Sequence, residues 1–351
     1  MTDMALPSPR GRSAVTALAI GLSGLAIVAI GWAFAPTAMA QGWLLAFLFW
    51  SSIPIGSLVL LLIHRLVGGR WGDAFAPALL AGAGLMPLAA LAFLPIVLGL
   101  TLIFPWAAQP ASVRPDVGHI YLNASSFLVR ALFGLGGWAF LSILVIRGRC
   151  TTLAAGLGLA FHGFAISLLA VDWILSVDPT FTSTAFAACI AIQQILAALA
   201  WAALASPAVP DKAAADIGGL LIAALLGVVY LGLMSYIVIW YGNLPDKAAW
   251  YLMRNSSGWI WMIAMAVLIG AVVPLGMLLR RSIRQNHQAL RLVGGLVLIG
   301  IWLHLAWLVA PSFDPGWLLA TALGLVAMSG ISLGVMTRIT IRPGRIADHA
   351  G

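Results

Sequence analysis

The sequence predicts an all-α integral membrane protein with about ten transmembrane helices. Hydrophobic residues make up 62% of the 351 residues and charged residues only 8%, and the mean hydropathy is +1.06. Apolar stretches of about 20 residues, the length that crosses a bilayer, follow one another along the chain. These stretches are continuous, whereas the strands of a membrane barrel alternate apolar and polar residues, so helices are predicted.

The spacing of the apolar stretches predicts a single membrane domain in which successive helices are antiparallel neighbours, because the connections are short. This pattern favours two four-helix bundles, at 41–175 and 181–311, with flanking helices at 14–34 and 316–336. The third span is long enough to tilt or to end irregularly near Pro95 and Pro105. The predicted spans lie at about 14–34, 41–63, 75–103, 125–147, 152–175, 181–205, 217–240, 256–280, 290–311 and 316–336.

The net charge of +8 is distributed unevenly between the two sides of the membrane. With a cytoplasmic amino terminus, 14 of the 18 basic residues fall in inner segments and 4 in outer segments. The positive-inside rule then predicts that both termini are cytoplasmic, so the charge indicates topology and lipid contact, and no nucleic-acid partner is expected. The inner residues are Arg10, Arg12, Arg65, Arg70, Arg147, Arg149, Lys212, Arg280, Arg281, Arg284, Arg291, Arg338, Arg342 and Arg345, and the outer ones are Arg114, Arg130, Lys247 and Arg254.

The amino-terminal segment has some features of a secretory signal. Arg10 and Arg12 precede an apolar run, and Ala38-Met39-Ala40 has the small residues of a cleavage site. The apolar run is about 20 residues long, which exceeds the ~7–15 residues of a signal core. We therefore expect a retained helix, with cleavage as the alternative.

The two cysteines do not form a cofactor-binding set. Cys150 lies in an inner connection and Cys189 inside a span. Iron–sulfur and zinc sites need several closely spaced ligands, so we expect buried or loop thiols and no cofactor held covalently or by metal ligands.

Six ionisable residues in or beside the spans are the candidates for a functional site, because such residues are costly in a bilayer and are functional candidates by default. Four lie at the ends of the second, fourth and fifth spans, and two lie inside the fifth and ninth spans. The six are Asp172 and Asp178 at the outer end of the fifth span, Arg130 near the outer end of the fourth, His162 in the middle of the fifth, His304 in the outer half of the ninth, and His64 at the inner end of the second.

Three interpretations of these residues remain open. In the structural one, Asp172 neutralises Arg130 and the histidines bond to backbone or serine oxygens, since buried polar groups need partners. In the second, the residues form a proton path or a quinol pocket near the outer surface. In the third, His162 and His304 ligate a haem, which requires a common depth and facing helices, although they lie in different predicted bundles.

Three segments resemble the membrane subunits of alternative complex III. They read HRLVGGRWG at 64–72, DWILSVDPTFTSTAF at 172–186 and YIVIWYGNLPDKAAWY at 236–251. The chain is most similar to the ActF-type subunit, within the wider NrfD-like family of polysulfide reductase membrane subunits. The resemblance covers about residues 40–310. His64 matches the inner motif, where His-Arg replaces a common His-His pair, and Asp172 and Asp178 match the acidic motif.

The resemblance implies a ten-helix subunit of a quinol:cytochrome c, or other quinol:acceptor, oxidoreductase complex in a bacterial inner membrane. It implies partner subunits that carry haem and iron–sulfur groups, an NrfD-like paralogue, and quinol or quinone as the ligand. The family includes a type that binds quinol on the periplasmic side and a paralogous type thought to contribute a proton route without oxidising quinol. A subunit that is not catalytic alone is therefore expected, and a stand-alone transporter or channel is the alternative.

Overall fold

The computed structural model describes residues 9–336 apart from 208, 256 and 257, with the side chains of 9–12 and 246 excepted. Throughout this part the regular structure is helical, and ten helices are long and apolar enough to cross a membrane. The predicted all-α multi-pass membrane fold is therefore confirmed. In chain order the spans are Ser13–Phe34, Pro36–Val67, Arg70–Leu98, Ala124–Ile146, Thr152–Val177, Phe186–Ala205, Asp211–Tyr241, Trp259–Leu278, His287–Ser312 and Trp317–Met336.

The third span departs most from a continuous helix. Proline has no backbone N–H and favours the first turn of a helix, so Pro87, Pro95 and Pro105 each stand near the start of a new helical segment. The irregular end that the sequence predicts is therefore present, and the breaks begin earlier than expected. The segments are Arg70–Ala83, Met86–Ala92, Leu94–Leu98, Leu100–Ile103 and Pro105–Ala108.

Short helices connect the spans or interrupt them. We call outer the end of the molecule that carries the helix Pro245–Asn255 and inner the end that carries Arg281–Arg284, following the predicted topology. The eighth span contains a π-helical segment, Leu268–Val272, between the α-helices Trp259–Val267 and Val273–Leu278. The other short helices are Pro115–Ile120 and the 3₁₀ turns Pro110–Ser112, Leu175–Val177 and Ala310–Ser312.

The spans pack in two groups of four, spans two to five and spans six to nine. The second span lies at the centre of the molecule, with 83% of its most apolar stretch buried. It packs on the third, fourth and fifth spans of its own group and on the sixth and tenth outside it. The sixth span holds the second group together through contacts with the seventh and ninth.

The first and tenth spans pack closely against each other along glycines. A Cβ on Gly21 would lie 2.7 Å from the carbonyl carbon of Gly330, and a Cβ on Gly24 would lie 3.1 Å from the amide nitrogen of Ala327. Small residues let helix backbones approach in a bilayer, where lipid is as apolar as leucine. The predicted inner residues Arg338, Arg342 and Arg345 lie outside the described residues.

Candidate functional site

A cavity of about 580 Å³ lies in the outer half of the second group of spans. Its walls are mainly apolar and come from the sixth, seventh, eighth and ninth spans and the outer helix Pro245–Asn255. Ligand sites typically combine such a wall with a few polar groups that orient the ligand. The polar side chains in this wall belong to Ser183, Cys189, Gln193, Ser235, Tyr236, Trp250, Tyr251, Arg254, Asn255, His304 and Trp307.

His304 and Gln193 form a polar pair in the cavity wall. His304 Nδ1 lies 2.7 Å from Gln193 Oε1. An amide oxygen only accepts hydrogen bonds, so Nδ1 carries the proton and Nε2 keeps its lone pair. The ring also stacks near Trp307, with centroids 6.2 Å apart and an interplanar angle of 17°. The pair therefore offers a fixed hydrogen-bond acceptor in an apolar surrounding.

Arg254 anchors the outer helix over the cavity. Its buried guanidinium donates to the backbone oxygens of Leu308 at 2.9 Å, Trp250 at 3.2 Å and Trp307 at 3.3 Å. It also lies 3.5 Å from the ring centroid of Trp250. Burial lowers the pKa of Arg254 to about 10 and raises the pKa of the neighbouring Tyr251 to about 12. Both residues thus keep their ordinary protonation state at neutral pH.

Asp178, one of the predicted site residues, lies at the edge of this arrangement. Its carboxylate is 3.8 Å from Arg254 Nη1, and its side chain is 14% exposed. Thr180 donates a hydrogen bond to Asp178 Oδ1 at 2.5 Å. Next to it, Phe181 stacks on Trp250 with ring centroids 4.3 Å apart. The segment after the fifth span therefore closes the outer side of the cavity together with the outer helix.

Asp172 and Arg130 form an ion pair in the first group of spans. Arg130 donates from Nε to Oδ2 at 2.6 Å and from Nη2 to Oδ1 at 2.9 Å. Its Nη2 also donates to the backbone oxygen of Tyr121 at 2.8 Å, and the guanidinium lies 3.8 Å from the Tyr121 ring centroid. Burial and the nearby carboxylate raise the pKa of Tyr121 above its ordinary range. The predicted pairing is confirmed, and neither member lines the second-group cavity.

His162 is buried near the centre of the first group. Its ring lies 5.9 Å from the ring of Trp138, between centroids, and is 6% exposed. His304 belongs to the other group and bonds to Gln193, so the two histidines do not share a site. The haem interpretation requires facing ligands and finds no support in this arrangement. Among the described residues, no group of three or more His, Cys, Asp or Glu side chains could hold a metal ion.

His64 lies beside the glycine-rich turn between the second and third spans. Its Nε2 lies 3.0 Å from the backbone oxygen of Gly69 and 3.6 Å from Asp73 Oδ1. Gly69 has a φ of 115°, which an L side chain rarely adopts. A Cβ on Gly72 would overlap the imidazole. The motif therefore builds a compact turn around His64 at the inner surface.

The structure adds Tyr251 and Arg254 to the site and makes Gln193, an amide inside the sixth span, the partner of His304. In the sequence, Arg254 stands out only as an outer basic residue. A usable signal was its place three residues after the aromatic pair Trp250–Tyr251, in a helix outside the spans.

Comparison with known proteins does not assign the chain, because no family model and no curated protein matches its sequence.

Proposed function

We propose that the chain is a membrane subunit of a quinol:cytochrome c, or other quinol:acceptor, oxidoreductase complex, and that its second-group cavity receives the quinol ring. The observation that carries this proposal is the His304–Gln193 pair, 2.7 Å apart, in an otherwise apolar cavity of about 580 Å³. A quinol is a lipid-soluble ring with hydroxyl groups, so it fits a site that combines apolar walls with a fixed acceptor. The resemblance of three sequence segments to NrfD-like subunits supports the same assignment.

The roles of the cavity residues follow from their hydrogen bonds. His304 Nε2 accepts a hydrogen bond from a quinol hydroxyl, and Gln193 holds the imidazole in the tautomer that this requires. Arg254 keeps the outer helix over the ring through its bonds to Trp307 and Leu308. Oxidation of the quinol would release two protons, the first to His304 Nε2, and two electrons to a haem or iron–sulfur group that a partner subunit would supply.

Asp172, Arg130 and His162 belong to a second part of the proposal, as scaffold or as a separate proton route through the first group. The buried Arg130–Asp172 pair favours the scaffold role, since its members already satisfy each other. The complex lies in a bacterial inner membrane with both termini of the chain cytoplasmic, as the distribution of basic residues predicts.

Quinol binding tests the proposal directly. We expect His304→Phe, which keeps a ring and removes the acceptor, to weaken binding of a decyl-tailed benzoquinol, kept reduced, to the purified chain in nanodiscs at least about tenfold. That change corresponds to ~1.4 kcal/mol. His287→Phe, at the inner end of the same helix and outside the cavity wall, should bind like the wild type.

Unchanged binding by His304→Phe would contradict the quinol site. Co-purification tests the complex separately, because a tagged chain should recover partners with haem or iron–sulfur absorption. Recovery of the chain alone, together with solute uptake into vesicles, would instead favour the stand-alone transporter.

A further inference from the structure

The second-group cavity has an opening toward the lipid between the seventh and eighth spans. Contacts between these spans are concentrated at the inner segment Val273–Leu278 of the eighth. The outer segment, Trp259–Val267, packs instead on the ninth span. The two spans are therefore joined at the inner end and separate toward the outer end.

A glycine contact explains why the eighth span leans away from the seventh. A Cβ on Gly270 would lie 2.6 Å from the Cα of Gly300 on the ninth span, so the two backbones touch. Gly270 lies in the π-helical segment Leu268–Val272, where the helix widens by one residue. The eighth span is thus held against the ninth at its middle, which leaves room beside the seventh.

The residues at this opening both line the cavity and lie on the outside of the molecule. Leu233 is 51% exposed, Ile260 43%, Val267 43% and Tyr236 41%. Gly232 also lines the cavity, and a Cβ built on it would meet nothing within 4 Å. The cavity wall therefore continues into the lipid-facing surface along the outer halves of both spans.

The outer aqueous side of the cavity, unlike its lipid-facing side, is closed by packed residues. Arg254 ties the outer helix to the ninth span through Trp307 and Leu308. The stacked rings of Phe181 and Trp250, with centroids 4.3 Å apart, fill the gap between the outer helix and the segment after the fifth span. The outer helix and the segment after the fifth span therefore cover the cavity on the aqueous side. On the lipid side, an apolar gap between the seventh and eighth spans leads into it.

We propose that quinol enters and leaves this cavity sideways from the bilayer, through the opening lined by Gly232, Leu233, Tyr236, Ile260 and Val267. This inference rests on the proposed function. The ring reaches the His304–Gln193 pair, and the isoprenoid chain stays in the opening between the seventh and eighth spans. Because the isoprenoid tail lies in the opening, the length of this tail affects the affinity of the ligand.

The test narrows the opening without touching the ring site. Gly232→Leu places a side chain in open space at the opening. Gly276→Leu is the matched control, because Gly276 is an exposed glycine of the eighth span with equally open surroundings and no part in the cavity wall. Leucine is a better helix former than glycine, so both variants should fold.

The measurement is the affinity of purified variants in nanodiscs for two probes, a decyl-tailed benzoquinol kept reduced and the same reduced ring without a tail. We expect Gly232→Leu to weaken binding of the tailed probe at least about tenfold and of the tailless probe less than about threefold, while Gly276→Leu changes neither. Leu233→Trp narrows the opening from the next position and should give the same pattern.

Each other result has a definite meaning. Wild-type binding of the tailed probe by both Gly232→Leu and Leu233→Trp would overturn sideways entry and leave the quinol site standing. Equal weakening of both probes would overturn the placement of the tail in the opening. If neither probe binds the wild-type chain, the proposed function itself fails, and this inference fails with it.

Discussion

Removing Arg130 while keeping Asp172 should strongly destabilise the protein. Arg130 makes two charge-assisted bonds to the carboxylate, at 2.6 and 2.9 Å, and a third bond to the backbone of Tyr121 at 2.8 Å. The Asp172 side chain is fully buried and that of Arg130 only 12% exposed. Water therefore cannot replace the lost partner.

The magnitude follows from this burial. Breaking a buried ion pair by removing one partner costs about 3–5 kcal/mol, because a charge is left without compensation. The whole range applies here, since the carboxylate has no exposed surface. Arg130→Met keeps most of the apolar stem and isolates this effect. Replacing both residues, as in Arg130→Met with Asp172→Leu, removes the charge as well and should recover at least about half of the loss.

Reversible unfolding of the purified variants in mixed micelles of increasing SDS fraction would measure these free energies. The double-mutant cycle formed by the wild type, both single variants and the double variant gives the interaction energy of the pair. A loss below about 1 kcal/mol for Arg130→Met, the value typical of exposed ion pairs, would refute the reasoning. So would a double variant whose loss equals the sum of the two single losses.

Three further predictions concern other regions of the molecule. Asp172→Asn should reduce stability yet leave the rate of quinol oxidation per assembled complex within about threefold of wild type. A fall in this rate of tenfold or more, which corresponds to ~1.4 kcal/mol on the barrier, would assign the acid to a proton route. Burial raises the pKa of Cys150, so a smaller fraction of this thiol is ionised at pH 8. In a Cys189→Ala background, maleimide should therefore label Cys150 more slowly than a free thiol, and the rate should increase as pH rises. The label should reach Cys150 only from the inner side. Equally fast labelling, or labelling from the outer side, would contradict this placement. Gly21→Leu should cost about 1–3 kcal/mol by overpacking against the tenth span, while Gly276→Leu, which has open space, should change stability little in the same SDS titration.

The spans and the Arg130–Asp172 pair could be predicted from the sequence because each depends on local patterns. Apolar length identifies a span, and an acid and a base at the outer ends of neighbouring antiparallel helices are placed to meet. The short inner connection after His64 also has a local basis, since Gly68 and Gly69 adopt backbone angles that other residues avoid.

The cavity could not be predicted in this way. It depends on where the eighth span touches the ninth, at Gly270 and Gly300, and on a π-helical segment that apolar composition does not reveal. Arg254 reaches span ends more than 50 positions away in sequence, through bonds to backbone oxygens that carry no sequence signature. Such a site requires the relative placement of helices, which hydrophobic periodicity leaves undetermined.

The contact between the first and tenth spans has a consequence for biosynthesis. The first span buries only 17% of its most apolar stretch, and its principal neighbour is the tenth span, which is translated long after it. After membrane insertion, this helix must therefore stay beside the growing protein through its smaller contacts, mainly with the second span, until Gly330 has been translated. Packing of the first span on the tenth must then wait for the nine spans that follow the first, and a chain that stalls before this point exposes the glycine face of its first helix to chaperones and membrane proteases.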